Sequence, residues 1–437
     1  MVSPIAYLNF GVLCLAQTCY YKQVHLSYGN NVSEVIVTYS TFDTVSVLQP
    51  TVWYKENNTD DKYRQVFGTA SLFVDGGPKK HKQFISRVKL TNLKPDTSYL
   101  YYVRLVNMSR QAYSFRTPKP NPSLVIFGDL GKENAQSLDR LIKDTQSGMY
   151  DAALHVGDFA YDMDSDNAEV GDAFMRQIEP VAAYIPYMTC PGNHEEKYNF
   201  SNYRNRFSMP GGRDIPYYSF NLGNLHIISI STEVYYFINY GIKEMVNQYY
   251  WLESDLKEAN KPENRKKQPW IIIMGHRPMY CTNDNPADCK RHSTFTRVGI
   301  PYFHIFGLEP LLYKYGVDLA IWAHEHSYER LWPIYNYHVY NGSIDEPYRN
   351  PMAPVHITTG SAGCKEGRSP FNNNTWPAFS AFRSSDYGYT RFKSYNNSHV
   401  YLEQVSDDKN GDIIDSFWII KEGKNGPYPK FYNSSMD

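Results

Sequence analysis

One join recurs along this chain and limits what it can fold into. A short, nearly unbroken apolar run ends in a small residue, and a side chain able to bind a metal follows. Phe127 leads to Gly128-Asp129-Leu130-Gly131, and Val156 to Gly157-Asp158-Phe159-Ala160-Tyr161. Cys190 leads to Pro191-Gly192-Asn193-His194-Glu195, Met274 to Gly275-His276, and Trp322 to Ala323-His324-Glu325-His326. The apolar runs fall at 124–127, 152–156, 185–188, 226–230, 270–274, 317–322 and 355–358. Runs of this length, bounded by Gly, Asp or Pro, read as strands buried on both faces. Helical stretches lie between them at 133–149 and 248–260; in the second, Trp251, Leu252, Leu256 and Ala259 share one stripe. Strand–helix alternation predicts an α/β domain, and such sheets bind ligands beyond the carboxyl ends of their strands.

Taken singly, these residues say little. Gly-Asp is an ordinary turn, a lone tyrosine usually packs, and His-x-His on a strand is two residues on one face. Five in order, each after a buried strand, are specific. A two-metal hydrolase must hold its ions about 3.5–4 Å apart, with a bridging ligand that a carboxylate supplies well.

The ordered set Gly-Asp-x-Gly, Gly-Asp-x-x-Tyr, Gly-Asn-His-Glu, His276 and His-x-His resembles the five blocks of the purple acid phosphatases, in their long animal form. The stretch 322–333 (WAHEHSYERLWP) resembles that form too, and the likeness spans nearly the whole chain. It implies a four-layer α/β/β/α metallophosphoesterase domain. It also implies Fe(III) held by Asp129, Tyr161, His326 and bridging Asp158. A divalent ion (Zn, Mn or Fe) would be held by Asp158, Asn193, His276 and His324. Carboxylate and phenolate suit ferric iron, and imidazole and amide suit the divalent ion. The implied reaction is hydrolysis of phosphate monoesters at acidic pH, with metal-bound hydroxide as nucleophile and a small phosphate ester as substrate. His194, beside Asn193, matches a phosphate-contacting histidine. The family's histidine pair some ten residues past His276 is replaced by Asn285 and Pro286, and His292 is the candidate substitute. Ala323 stands where the family has glycine, a change of one methyl group. A phosphodiesterase on the same scaffold, or a non-catalytic secreted glycoprotein, are the alternatives; the complete ligand set argues against the second.

Residues 22–118 read differently. Alternating segments at 24–28, 34–39 and 84–90 predict an all-β domain. Leu93-Lys94-Pro95-Asp96-Thr97-Ser98-Tyr99 resembles the corner of a fibronectin type III sandwich. The proline-rich stretch 117–122 is read as a linker. The catalytic domain is therefore expected at 123–437, with a β segment returning at 387–420.

Residues 5–16 are apolar and uncharged, too short to span a bilayer but suited to a signal peptide ending near Ala16. Sequons occur at Asn31, Asn57, Asn107, Asn199, Asn341, Asn373, Asn396 and Asn433, and their number fits a secreted or lysosomal glycoprotein. Cys281 and Cys289 enclose a short polar loop and are expected to form a local disulfide in an exported protein. Cys190 and Cys364 form either a second bridge or two buried thiols. Cys14 would leave with the leader, and Cys19 stays unassigned. A net charge of -1 gives no electrostatic case for nucleic acid or an anionic membrane.

Overall fold

A computed structural model of the chain describes residues 22–42, 49–103, 111–285, 287–289, 293–300, 303–372, 376–423 and 426–428. The expected leader at 1–16, His292, Cys14, Cys19 and the sequons at Asn107, Asn373 and Asn433 lie outside the described residues.

The N-terminal part is a sandwich of two four-stranded antiparallel sheets. One runs Lys22–Tyr28, Val35–Thr41, Lys82–Leu90, Thr69–Val74 in spatial order; the other runs Arg64–Phe67, Thr51–Glu56, Ser98–Val103, Tyr113–Arg116. Period-two alternation decides which side chains meet. Val24, Leu26, Val37 and Val88 from one sheet share a core with Val52, Tyr99, Tyr101 and Phe115 from the other. The Tyr99 hydroxyl accepts a hydrogen bond from the Lys94 N–H (2.9 Å), which closes the corner read from the sequence.

Beyond it lie two mixed sheets packed face to face. The first has the order Tyr187–Cys190, Ala152–Val156, Ser123–Phe127, Gly388–Ser394, His399–Ser406, Asp412–Ile420; its first three strands are parallel, its last three antiparallel. The second has the order Tyr218–Leu222, Leu225–Ser229, Trp270–Met274, Leu319–Trp322, Val355–Thr359, Tyr328–Leu331, Ser380–Ser384, with four parallel strands at its centre. Alternation sorts the second sheet between two cores. Ile272, Met274, Leu319 and Ile321 face the first sheet, beside Leu124, Ile126 and Leu154. Ile271, Ile273, Ala320 and Trp322 face outward, onto Met245, Leu252 and Leu256 of the helix Lys243–Ala259. Helices Leu138–Gln146 and Glu169–Ala182 pack on the first sheet's core through Leu141, Phe174 and Ile178. The result is the four-layer α/β/β/α arrangement.

The sandwich docks on helix Glu169–Ala182 through hydrogen bonds as well as apolar contact. The Glu179 carboxylate accepts from the Gln23 N–H (2.8 Å) and the Tyr113 hydroxyl (2.6 Å). The Asp172 carboxylate accepts from Arg206 (2.6 Å), Gln23 (3.2 Å) and Gln83 (3.0 Å). Cys281 and Cys289 are joined in a disulfide, whereas Cys190 and Cys364 are separate buried thiols.

Candidate metal centre

All five segments that carry the expected ligands leave the carboxyl ends of parallel strands, three from the first sheet and two from the second. The sheets face each other, so the segments converge on one spot. Tight turns there need unusual backbone. Asp129 (φ 57°), Asp158 (φ 52°), Tyr161 (φ 53°) and His324 (φ 69°) all lie in the left-handed region. That conformation costs a non-glycine residue about 1–3 kcal/mol and concentrates at functional sites. Gly157 (φ 83°) and Gly192 leave room for close approach. A Cβ on Gly157 would stand 2.5 Å from the His276 ring, and one on Gly192 would stand 2.1 Å from an Asp158 oxygen.

The donor atoms form two adjoining groups. In the first, the Tyr161 hydroxyl donates to Asp129 Oδ1 (2.9 Å) and lies 3.0 Å from His326 Nε2, which is 3.5 Å from Asp129 Oδ1. In the second, His276 Nε2 lies 3.0 Å from Asp158 Oδ2 and 3.2 Å from Asn193 Oδ1. His324 joins this group, with a donor atom within 4.8 Å of Asp158 and His276. Bonds of about 2.0–2.2 Å to one ion put neighbouring ligand atoms roughly 3 Å apart, so the observed edges fit a first-row metal polyhedron. The chemistry fits as well, with a carboxylate–phenol–imidazole group beside an imidazole–amide group.

The electrostatics indicate a demand for positive charge. Burial lowers the His276 imidazole, but Asp158 more than offsets this and raises it to about 10. Burial likewise opposes a charged His326, yet Asp129 and the Cys364 thiol push it up to about 12. Burial raises Asp158 less than His276 and His194 lower it, so its carboxyl sits well below the usual range. Tyr161 is pushed well above the ordinary phenol by burial, with Asp129 and Asp158 adding. The protein's own protons thus balance carboxylates that a cation would otherwise neutralise, and a bound metal releases such protons.

His194 lines the adjoining cavity of about 370 Å³, with Asn283, Glu325, Glu366, Arg368 and Ser369. Its Nδ1 bonds to Asp162, and its Nε2 lies 3.5 Å from Glu366. Burial lowers this imidazole, but Asp162 and Asp158 outweigh it and raise it to about 9. Asp162 was missed in the sequence, where only adjacency to Tyr161 pointed to it. Glu195, two residues past Asn193, is buried. It accepts backbone N–H bonds from Asp158 (2.9 Å), Phe159 (3.0 Å) and Gly192 (2.9 Å), tying two ligand turns together. Glu325 is buried too and accepts from the Asn285 side chain (2.7 Å). Cys364, read in the sequence only as a bridge partner or a buried thiol, has its sulfur 3.4 Å from His326 Nδ1.

Three family models match the chain. They are the purple acid phosphatase N-terminal domain (residues 21–117), the calcineurin-like phosphoesterase (122–328) and the iron/zinc purple acid phosphatase-like protein C (353–416). Acid phosphatase type 7 of Homo sapiens is 52% identical over 405 residues, covering 92% of this chain and 91% of that protein. The Danio rerio counterpart is 50% identical over 421 residues, covering 93% and 92%. The Fe(3+)-Zn(2+) purple acid phosphatase 12 of Arabidopsis thaliana is 28% identical over 422 residues, covering 91% and 84%. Among solved structures, the purple acid phosphatase PPD1 from yellow lupin seeds matches with a TM-score of 0.75 at 23% identity, covering 92% of this chain and 74% of that one.

Proposed function

The chain belongs to the purple acid phosphatase family, and on that footing we propose that Asp129, Asp158, Tyr161, Asn193, His276, His324 and His326 hold its two metals. It is an acid phosphatase acting on phosphate monoesters, with Fe(III) and a divalent metal as cofactors. In the proposed assignment Asp129, Tyr161 and His326 take iron, Asn193, His276 and His324 take the divalent ion, and Asp158 bridges. The carrying observation is the pair of adjoining donor groups with edges of 2.9–3.5 Å. When bound, the two cations supply Lewis acidity, which lowers the pKa of water and offsets charge on phosphoryl oxygens.

The chain's own groups do the rest. Asp162 accepts the Nδ1–H of His194, and in acid the doubly protonated ring also carries an Nε2–H at the cavity, where it would hold a phosphoryl oxygen and give a proton to the departing alkoxide. His292 is the second candidate for that work. Glu195 keeps the turns of Asp158 and Gly192 in register, and Asn285 steadies Glu325 beside the two imidazoles.

Export to the secretory pathway, to the cell exterior or the lysosome, is part of the proposal. It is supported by the Cys281–Cys289 disulfide and by the exposed sequons at Asn31, Asn199 and Asn396. Protein from a secretory host should shift in mass on glycan removal, and an unchanged mass would count against export.

The test of the site is metal content read with activity on a chromogenic monoester and a chromogenic diester, for wild type and Asp158→Ala. Wild type should carry two metals and prefer the monoester, and Asp158→Ala should lose at least a thousandfold in turnover together with its metals. A variant that kept two metals and near-wild-type turnover would refute the bridging assignment. Preference for the diester would favour the phosphodiesterase reading instead.

A further inference from the structure

The three imidazoles of the centre are not anchored alike. His276 and His326 each hold Nδ1 on a backbone carbonyl, of Val156 (2.9 Å) and Gly367 (2.9 Å), and turn Nε2 toward the carboxylates. His324 is reversed. Its Nε2 lies 3.0 Å from Asp288 Oδ2 and 2.9 Å from Arg277 Nη1. These contacts exclude one another on a neutral ring. A guanidinium only donates, so it needs a lone pair on Nε2, whereas a carboxylate only accepts and needs a proton there. An imidazole that gives its Nδ1 lone pair to a metal must carry its proton on Nε2, and Asp288 is the group placed to accept it.

We propose that Asp288 is a positioning residue for the divalent-metal site: it takes the Nε2–H of His324, fixes the tautomer and leaves Nδ1 as the ligating nitrogen. The inference rests on the assignment of His324 to the divalent ion. A carboxylate behind a ligating histidine fixes ring orientation and raises its basicity.

The surroundings hold Asp288 in place from both sides. Its neighbour Cys289 is bonded to Cys281, so the carboxylate sits at the closed end of an eight-residue separation. That loop begins just after ligand His276 and returns to ligand His324. Arg277 is anchored by its Nε on buried Glu233 (3.0 Å) and by its backbone N–H on Thr232 Oγ1 (2.9 Å), with its guanidinium 4.4 Å from the Tyr236 ring centre. Its Nη1 reaches Asp288 Oδ2 at 3.3 Å. When His324 donates to Asp288, Arg277 keeps the carboxylate as its partner. The disulfide thereby serves the metal site and not only the loop.

The test uses the iron–zinc holoenzyme and reads zinc affinity by chelator competition, alongside the visible absorption band and the melting temperature of the metal-depleted protein. Asp288→Ala should weaken zinc about 10- to 100-fold, the usual range for such outer partners, while the band position and the metal-depleted melting temperature hold. Asp288→Asn, which keeps an acceptor oxygen, should fall between Ala and wild type. His324→Ala is the control for the underlying assignment. If it loses zinc while both Asp288 variants bind zinc within twofold of wild type, the inference fails and the ligand assignment stands. If His324→Ala also binds zinc normally, the assignment fails and the inference with it. A crystal structure of the holoenzyme with zinc bonded to the Asp288 carboxylate would likewise overturn the positioning role.

Discussion

Tyr161 is the proposed ligand whose surroundings say most about which metal it would take. Its hydroxyl lies between Asp129 and His326, and burial, with the Asp129 and Asp158 carboxylates adding, makes the phenol harder to ionise than free tyrosine. Only a strongly Lewis-acidic cation can hold it deprotonated in acid. Ferric iron accepts charge from phenolate and colours the protein; zinc has a filled d shell and cannot. Iron-loaded wild type should therefore be violet and zinc-only protein colourless. Tyr161→Phe should lose the band, keep the fold at a cost of about 1–2 kcal/mol for its hydrogen bonds, and retain part of its turnover. An unchanged band in the variant would remove Tyr161 from the ligand set. This residue was legible in the sequence because it follows Asp158 by three in a loop after a buried strand. Asp162 and Asp288 were not. Each acts through an imidazole remote in sequence, 32 and 36 residues away, and only the pairing of strands brings them together.

Among the elements, the buried parallel strands were the easiest to read, because burial on both faces leaves an unbroken apolar run. Tyr328–Leu331 was not read, since its sequence YERL carries two charges. Both are buried and paired: Arg330 bonds to Asp415 (2.7 and 2.8 Å), and Glu329 accepts from Thr282 and Ser380. The helix expected at 133–149 spans only Leu138–Gln146. Asn134 turns left-handed (φ 59°) and gives its amide to the Cys364 carbonyl (2.7 Å), so the chain before the helix is held to another loop. The turn at Gly192 shows how closely an element can be fitted to its ligand. This glycine has ordinary φ (-108°), and what it supplies is space: a Cβ would fall 2.1 Å from Asp158 Oδ1 and 2.6 Å from its N. Gly192→Ala must displace the bridging carboxylate or the turn that Glu195 clamps. Overpacking of this kind costs about 1–3 kcal/mol, and here the displaced group is a proposed ligand. The expected result is at least a tenfold loss of kcat with incomplete metal loading, measured on purified protein. Full loading with wild-type kcat would show that the turn can give way without moving Asp158.

At the scale of the molecule, an enzyme that works in acid has buried histidines that oppose acid. His25 lies in the sandwich strand Lys22–Tyr28, with Nδ1 on the Gln23 carbonyl (2.8 Å) and its ring 5.8 Å from Phe207 of the catalytic domain. Its Nε2 is buried with no hydrogen-bond partner among the described residues. Burial, with Arg87 adding, lowers this imidazole from 6.5 to about 4. His356, whose Nδ1 accepts from the Trp322 indole (3.0 Å), is lowered by burial to about 3. The sign follows from proton counting. Below pH 6.5 the unfolded chain binds a proton at each of these histidines and the folded chain does not, so stability falls as pH drops. For His25 the loss runs from about pH 6.5 down to about pH 4 and is complete below that; a shift of this size amounts to about 3 kcal/mol. The sandwich contributes no candidate metal ligand, yet this places part of the acid limit of the whole enzyme in its contact with the catalytic domain. His25→Asn keeps an N–H toward Gln23 and cannot titrate. It should be less stable than wild type at pH 7, because the ring's packing on Phe207 is lost, and the deficit should shrink by about 3 kcal/mol between pH 7 and pH 4. Urea unfolding of both proteins at half-unit steps across that range reads the difference directly, and the metal contribution, common to both, cancels. A deficit independent of pH would mean that His25 is not held neutral in the fold, and the acid limit would then lie with the metal centre.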